Sequence, residues 1–315
     1  MNLQDREGCS EFLQKFRKCK NLKIKRLKKY LHSCIFEFLH VLSMNYKCYM
    51  AILLFCLLPF VVQAQGTLYN ERSSDPTIVT RATSYGIGVA NVFDNYLSPQ
   101  AYSGVELRLS RESIHATKWA PETWKAQTYF QGYLDYTSNR ADNNNTVAAV
   151  ANWNYGLHRL LYETANFQVL VGGVADLNGG FIYNMRGGNN PANVRVHANL
   201  DASVRLLWHT HVGRFPFLLR YQLNAPLVGL MFSPHYGQSY YEIFSLGDDK
   251  GVVKPTTPLS QPTLRSLLSI DFQIKKTTLR VGYVCDLQQA KLNGLKSHLY
   301  AHTLMIGFVK HLKKL

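Results

Sequence analysis

The sequence predicts an all-β protein, an up-and-down antiparallel transmembrane β-barrel of about ten strands, with twelve possible. Three observations carry this reading. Residues 194–207 alternate almost without error: Val194, Val196, Ala198, Leu200, Ala202, Val204 and Leu206 share one face, and Arg195, His197, Asn199, Asp201, Ser203 and Arg205 the other. Strands of soluble sheets usually run about five or six residues, whereas a strand that crosses a bilayer needs about nine to eleven, with one face in lipid and the other in a polar lumen. The same period-two pattern recurs down the chain, and a short apolar run of the kind found in export leaders precedes it.

Residues 1–43 differ in composition from the rest of the chain and are read as an upstream extension from a misassigned start, with Met44 as the true start. Their basic stretch 15–29 is a candidate surface for nucleic acid or anionic membrane, but a charge block beside a leader has a simpler origin. No nucleic-acid partner is expected. Residues 44–64 read as a signal peptide: Lys47 precedes the apolar run 50–62, which is too short for a spanning helix, and the small Ala64 ends it. Cleavage after Ala64 leaves Gln65 as the first mature residue and 65–315 as the barrel domain. Five of the six cysteines, Cys9, Cys19, Cys34, Cys48 and Cys56, precede that point and only Cys285 lies beyond it. The mature domain then has no internal disulfide and must be held by its core, a metal or a membrane. Much of the formal +15 charge of the chain lies in the leader and the extension.

Alternation places strands at 83–93, 102–111, 124–138, 147–161, 167–183, 194–208, 215–224, 264–274, 278–287 and 299–312. Ten is an even number, so a barrel with its N-terminus in the periplasm puts the short turns 162–166, 209–214 and 275–277 on the periplasmic side. The longer connections 139–146, 184–193, 225–263 and 288–298 then fall outside, and 112–123 is longer than an inner turn should be. A further hairpin within 225–263, built from 227–232 and 240–244, would raise the count to twelve. Tyr129, Tyr133, Tyr136, Trp153, Tyr155, Tyr183, Trp208, Tyr221 and Tyr283 sit where barrels place interfacial aromatic girdles. In the last strand Leu304, Ile306 and Phe308 alternate, but residues 311–315 overrun the terminal aromatic.

The stretch from Ala225 to Phe244 (APLVGLMFSPHYGQSYYEIF), the segment TLRVGY from Thr278 to Tyr283 and NGLKSH from Asn293 to His298 resemble exported proteins grouped as domain of unknown function 3316. That resemblance covers most of the mature chain and none of 1–43. It implies an outer-membrane-type barrel and carries no activity.

Candidate chemistry concentrates in the long connection, where His235, Ser239 and Glu242 lie close enough in sequence for a Ser–His–carboxylate arrangement of a barrel hydrolase. The neighbouring Tyr236, Tyr240, Tyr241 and Phe244 favour the simpler reading of a loop packed on the rim, because no second motif supplies an oxyanion hole. His209 and His211 give only two imidazoles, short of a metal site, and the Gly187-Gly188 segment lacks the context of a phosphate loop. Asp142 with the asparagines after it, and Asp248-Asp249, lack the spacing of a calcium loop. No metal or cofactor is expected. Parity directs Glu106, Arg108, Asp135, Arg195, Asp201, Arg205, Asp271, Arg280 and Asp286 into the lumen as a network of paired charges, and ten strands leave little more room than side chains fill.

The expected role is a non-enzymatic barrel of the cell envelope with structural, interaction or small-solute duties. It would lie in the outer membrane among lipids and lipopolysaccharide, placed there by the barrel assembly machinery. The alternatives are a barrel lipid hydrolase or protease using His235 and Ser239, and a secreted soluble β-barrel that binds a ligand. The oligomeric state is not legible.

Overall fold

The computed structural model describes residues 75–313 apart from Asn189, Arg214, Lys275 and Lys276. The expectations for 1–43 and for the leader 44–64 fall outside the described residues. Eleven strands succeed one another: β1 (Ile78–Asp94), β2 (Ala101–Ala116), β3 (Trp124–Asn139), β4 (Asn145–Glu163), β5 (Phe167–Asn184), β6 (Ala192–Val212), β7 (Phe215–Phe232), β8 (Val253–Thr256), β9 (Leu264–Ile274), β10 (Thr277–Leu292) and β11 (Leu295–Lys313). One helical turn, α1 (Tyr240–Phe244), stands between β7 and β8. Ten strands pair antiparallel with their sequence neighbours, β7 passing directly to β9, and β1 closes on β11 from Ile78 opposite Lys313 to Asp94 opposite Ser297. The sheet thus becomes a closed antiparallel barrel. The four-residue β8 is an edge strand laid on the end of β7, with Pro255 removing one of its donors.

The barrel strands are 11 to 21 residues long. All therefore reach the length that a membrane crossing needs. Among the described residues no helix is long and apolar enough to cross a membrane. Each of the ten expected strands is present, several with longer ends. Three expectations are corrected. Residues 288–298 are not a loop: β10 and β11 run on to meet at Asn293 and Gly294, whose φ angles of 50° and 78° make the two-residue turn that Asn-Gly favours. Residues 227–232 extend β7, and 240–244 form α1, so the count stays at ten rather than twelve. The long 112–123 connection shortens because β2 continues through Ala116.

The two faces of each strand differ as the alternation requires. In β6, Val194, Val196, Ala198, Leu200, Ala202 and Val204 are exposed, while Arg195, His197, Asn199, Asp201, Ser203 and Arg205 are buried. Leu107, Leu134, Leu177, Leu200, Leu304 and Ile306 are among the residues that present an apolar band outward, Leu200 with 59% of its surface free. A continuous band of this kind costs about 25 cal/mol for each Å² left in water, a cost that lipid removes. Tyr136, Trp153, Tyr155, Tyr183 and Trp208 point outward, whereas Tyr129 and Tyr133 turn into the lumen and leave the girdle. At one place β7 bulges opposite Leu200 and Asp201, and the bulge accommodates Pro226 within the wall.

Candidate functional site

Inside the barrel the side chains form layers. Toward the short-turn end, Leu170, Leu207 and Leu218 pack together with Leu160 against them. Above them lies a charged layer. Arg280 forks onto Asp271 through Nε at 2.7 Å and Nη2 at 3.0 Å, and its Nη1 reaches Glu112 at 2.5 Å. Arg220 joins the same Asp271 at 2.9 Å, and Arg205 lines a cavity beside Glu112. A neutral polar layer comes next, in which the Ser203 hydroxyl donates to Asn224 at 2.7 Å and lies 2.9 Å from His158 Nε2.

The central layer is denser. Arg108 donates two hydrogen bonds to Glu106, at 2.7 and 2.8 Å, and one to Gln131 at 2.7 Å. It also pairs with Asp286 at 3.3 Å and lies 4.5 Å over the Tyr133 ring. Arg265 bridges Asp286 at 3.4 Å and Asp176 at 3.7 Å and donates to Asn152 at 2.9 Å. Asn152 also donates to Asp176, and the Thr303 hydroxyl donates to Glu106. Asp135 and Asp201 are buried beside this layer.

Toward the long-loop end the lumen turns apolar again. Val92, Ala148, Val150, Ile182, Leu299 and Ala301 cluster with Tyr133, and Leu97 packs on them. Beyond the cluster Asn193 donates to Asp94 at 2.6 Å, and Arg195 lines a small cavity with both. Cavities of about 60, 30 and 20 Å³ lie within these layers, spaces of the size that single waters or a few waters fill.

The residues singled out in sequence therefore occupy different places. Glu106, Arg108, Asp135, Arg195, Asp201, Arg205, Asp271, Arg280 and Asp286 are all buried in the lumen. Sequence reasoning overlooked Glu112, Arg220 and Arg265, which complete the two ion-pair layers. The parity that selects Asp271 also selects Arg265 six residues earlier, and Glu112 lies just past the expected end of its strand.

The loop candidates do something else. Ser239 caps α1: its hydroxyl accepts from the Glu242 N–H at 3.2 Å, and the Glu242 carboxylate accepts from the Ser239 N–H at 2.6 Å and hydroxyl at 3.0 Å. This reciprocal box holds the Glu242 carboxyl below the usual carboxylate range. The His235 imidazole faces the Lys250 carbonyl at 3.2 Å, and no hydrogen bond joins it to Ser239 or Glu242. His209 and His211 stand at the far end of β6, and no group of three or more metal-ligating side chains exists among the described residues.

The long loop is pinned to neighbouring hairpins. Asn293 donates to the Ser233 and Gly251 carbonyls at 2.6 and 3.0 Å, Tyr96 donates to the Gln238 carbonyl at 2.9 Å, and the Tyr240 hydroxyl donates to Asn193 at 2.6 Å while accepting from the Val194 N–H at 2.7 Å. Tyr240 thereby satisfies a donor on the stretch of β6 that β7 does not reach.

Among solved structures, the chain is similar to the outer membrane protease OmpT of Escherichia coli, at 8% identity and a TM-score of 0.44, over 79% of this chain and 100% of that one. The transport unit of the autotransporter AIDA-I from Escherichia coli matches at 8% identity and 0.42, over 80% and 93%. The translocator domain of autotransporter NalP from Neisseria meningitidis matches at 10% and 0.35, over 84% and 97%. Likeness at this level says nothing of activity. No curated protein matches the sequence. The family described as protein of unknown function (DUF3316) matches residues 50–315, the apolar run and the whole barrel together, and the chain belongs to that family.

Proposed function

We propose that this protein is a closed, non-enzymatic barrel of the outer membrane, exported by a leader cleaved after Ala64 and inserted by the barrel assembly machinery among lipids and lipopolysaccharide. Its loop-bearing end faces outward, and its role is envelope structure or surface interaction through the long Tyr-rich connection rather than solute passage. One observation carries the reading: two ion-pair layers fill the lumen between two apolar clusters, with water-sized cavities of about 60, 30 and 20 Å³ among them. An ion crossing such a lumen would shed its hydration against apolar side chains and displace guanidinium–carboxylate pairs, both costly steps. A hydrolase role finds no support in the loop, where Ser239 serves as a helix cap and His235 faces a backbone carbonyl. The test is purified, folded protein in a planar lipid bilayer. The reading expects no steady conductance at moderate voltage, and a reproducible ohmic step would overturn it.

A further inference from the structure

The central layer is unbalanced. Arg108 and Arg265 are its two guanidinium groups, and Glu106, Asp176 and Asp286 already pair with them. Two buried acids remain over, Asp201 and Asp135, and Asp135 is the one that the register sets against another carboxyl. It is 1% exposed, and neither carboxyl oxygen has a hydrogen-bond partner that carries a fixed proton. The register places it directly opposite Glu106, on the neighbouring strand and the same face, with its carboxyl in hydrogen-bonding reach of the Glu106 carboxyl.

Arg195, on β6, lies beside Asp94 and within electrostatic reach of Tyr133, and the groups set nearest Asp135 are these. From β2 come Glu106 and Arg108, and Arg108 is committed to Glu106 through both ends of its fork. From β10 comes Asp286, a further anion, and Tyr133 lies on the same strand as Asp135. Across on β4 the partner is Ala148, a member of the apolar cluster, and β11 contributes Thr303, whose hydroxyl is donated to Glu106. Two carboxyls in contact away from bulk water do not both ionise. Of the two, Glu106 is the one that already accepts from Arg108 and Thr303.

We propose that Asp135 and Glu106 bind one proton between them, with Asp135 as the neutral acid donating to the Glu106 carboxylate. The pair is then a proton site built into the lumen wall, at the border between the central ion pairs and the apolar cluster. Its loss of the proton places a third anion beside Glu106 and Asp286 and loosens the lumen from within.

The experiment compares wild type with Asp135→Asn and Asp135→Ala in folded protein in detergent. An amide nitrogen replaces the acid's donor without a charge, so Asp135→Asn is expected to unfold no more readily than wild type at neutral pH and to keep its midpoint as the pH is raised. Wild type should show a falling midpoint over the same alkaline range, and an infrared band of a protonated carboxyl that is lost in Asp135→Asn. Asp135→Ala, with no donor, should unfold more readily than either. The proposal is overturned if wild type lacks the protonated band at neutral pH or if Asp135→Asn is as weakened as Asp135→Ala. It is equally overturned if a chelator lowers the wild-type midpoint at fixed pH, because a bound cation would then be the neutralising partner.

Discussion

Arg108 meets Glu106, Gln131, Asp286 and the Tyr133 ring at once. Arg108→Ala therefore leaves the buried Glu106 without its counter-ion and Asp286 with Arg265 alone, and removing one side of a buried pair costs about 3–5 kcal/mol. The unfolding midpoint of the folded barrel should fall accordingly, and Arg108→Lys should recover only part, since an ammonium cannot reproduce the two-pronged contact with Glu106. A midpoint unchanged by Arg108→Ala would remove the network from any structural role. On the opposite face the argument changes sign. Leu200 is exposed on the apolar band, and Leu200→Arg should cost about 2–4 kcal/mol if that position lies at mid-membrane, read as a fall in assembled barrel. Both faces were legible in the sequence wherever polar residues occupy the inner one, as in β6. At 147–151, where Val147, Ala148, Ala149, Val150 and Ala151 are apolar on either face, the phase is read only from Asn152 and Asn154 further along the strand. Such a run carries no parity of its own, and nothing in it announces that Ala148 and Val150 join an apolar cluster inside the lumen.

The elements themselves were legible because a strand of fixed period leaves its mark on every second residue, even where its ends do not. Ends were lost where function or pairing overrides that pattern. Gln289, Lys291 and Lys296 made 288–298 look like a solvated loop, yet they are the solvent-level continuation of a hairpin whose turn is set by Asn293 and Gly294. The hairpin also has a second task, because the Asn293 side chain holds the long loop through the Ser233 and Gly251 carbonyls. No sequence period reports a contact of that kind between distant segments. At about 0.5–1.5 kcal/mol for each of the two hydrogen bonds, Asn293→Ala should weaken loop docking by about 1–3 kcal/mol, roughly a 5- to 150-fold larger population of the undocked loop. Limited proteolysis within 233–263 should accelerate in that range while the barrel keeps its folded migration. Unchanged cleavage would show that Tyr96 and Tyr240 alone hold the loop.

At the scale of the whole molecule, closure does two things that no single strand does. The β1–β11 pairing removes the free edges that would leave ladder donors bare, so every barrel strand finds its partners on both sides over most of its length. Closure also turns one face of each strand into a shared interior, where charges from β2, β3, β5, β9 and β10 meet although the sequence separates them widely; the Arg108–Asp286 pair spans 178 residues. The sequence could assign these charges to the lumen but not to one another, since register around a ring is fixed only once the ring closes. Such a molecule is held by hydrogen bonds and ion pairs that detergent does not reach, while its outer band needs an apolar solvent. Two behaviours should therefore occur together. The protein should remain in the envelope fraction through carbonate or urea extraction, and the detergent-solubilised barrel should migrate as a compact species until it is boiled, when it shifts to the position of the unfolded chain. Release by carbonate as a folded, soluble protein would mean that something other than lipid covers the apolar band, and the membrane assignment would fall with it.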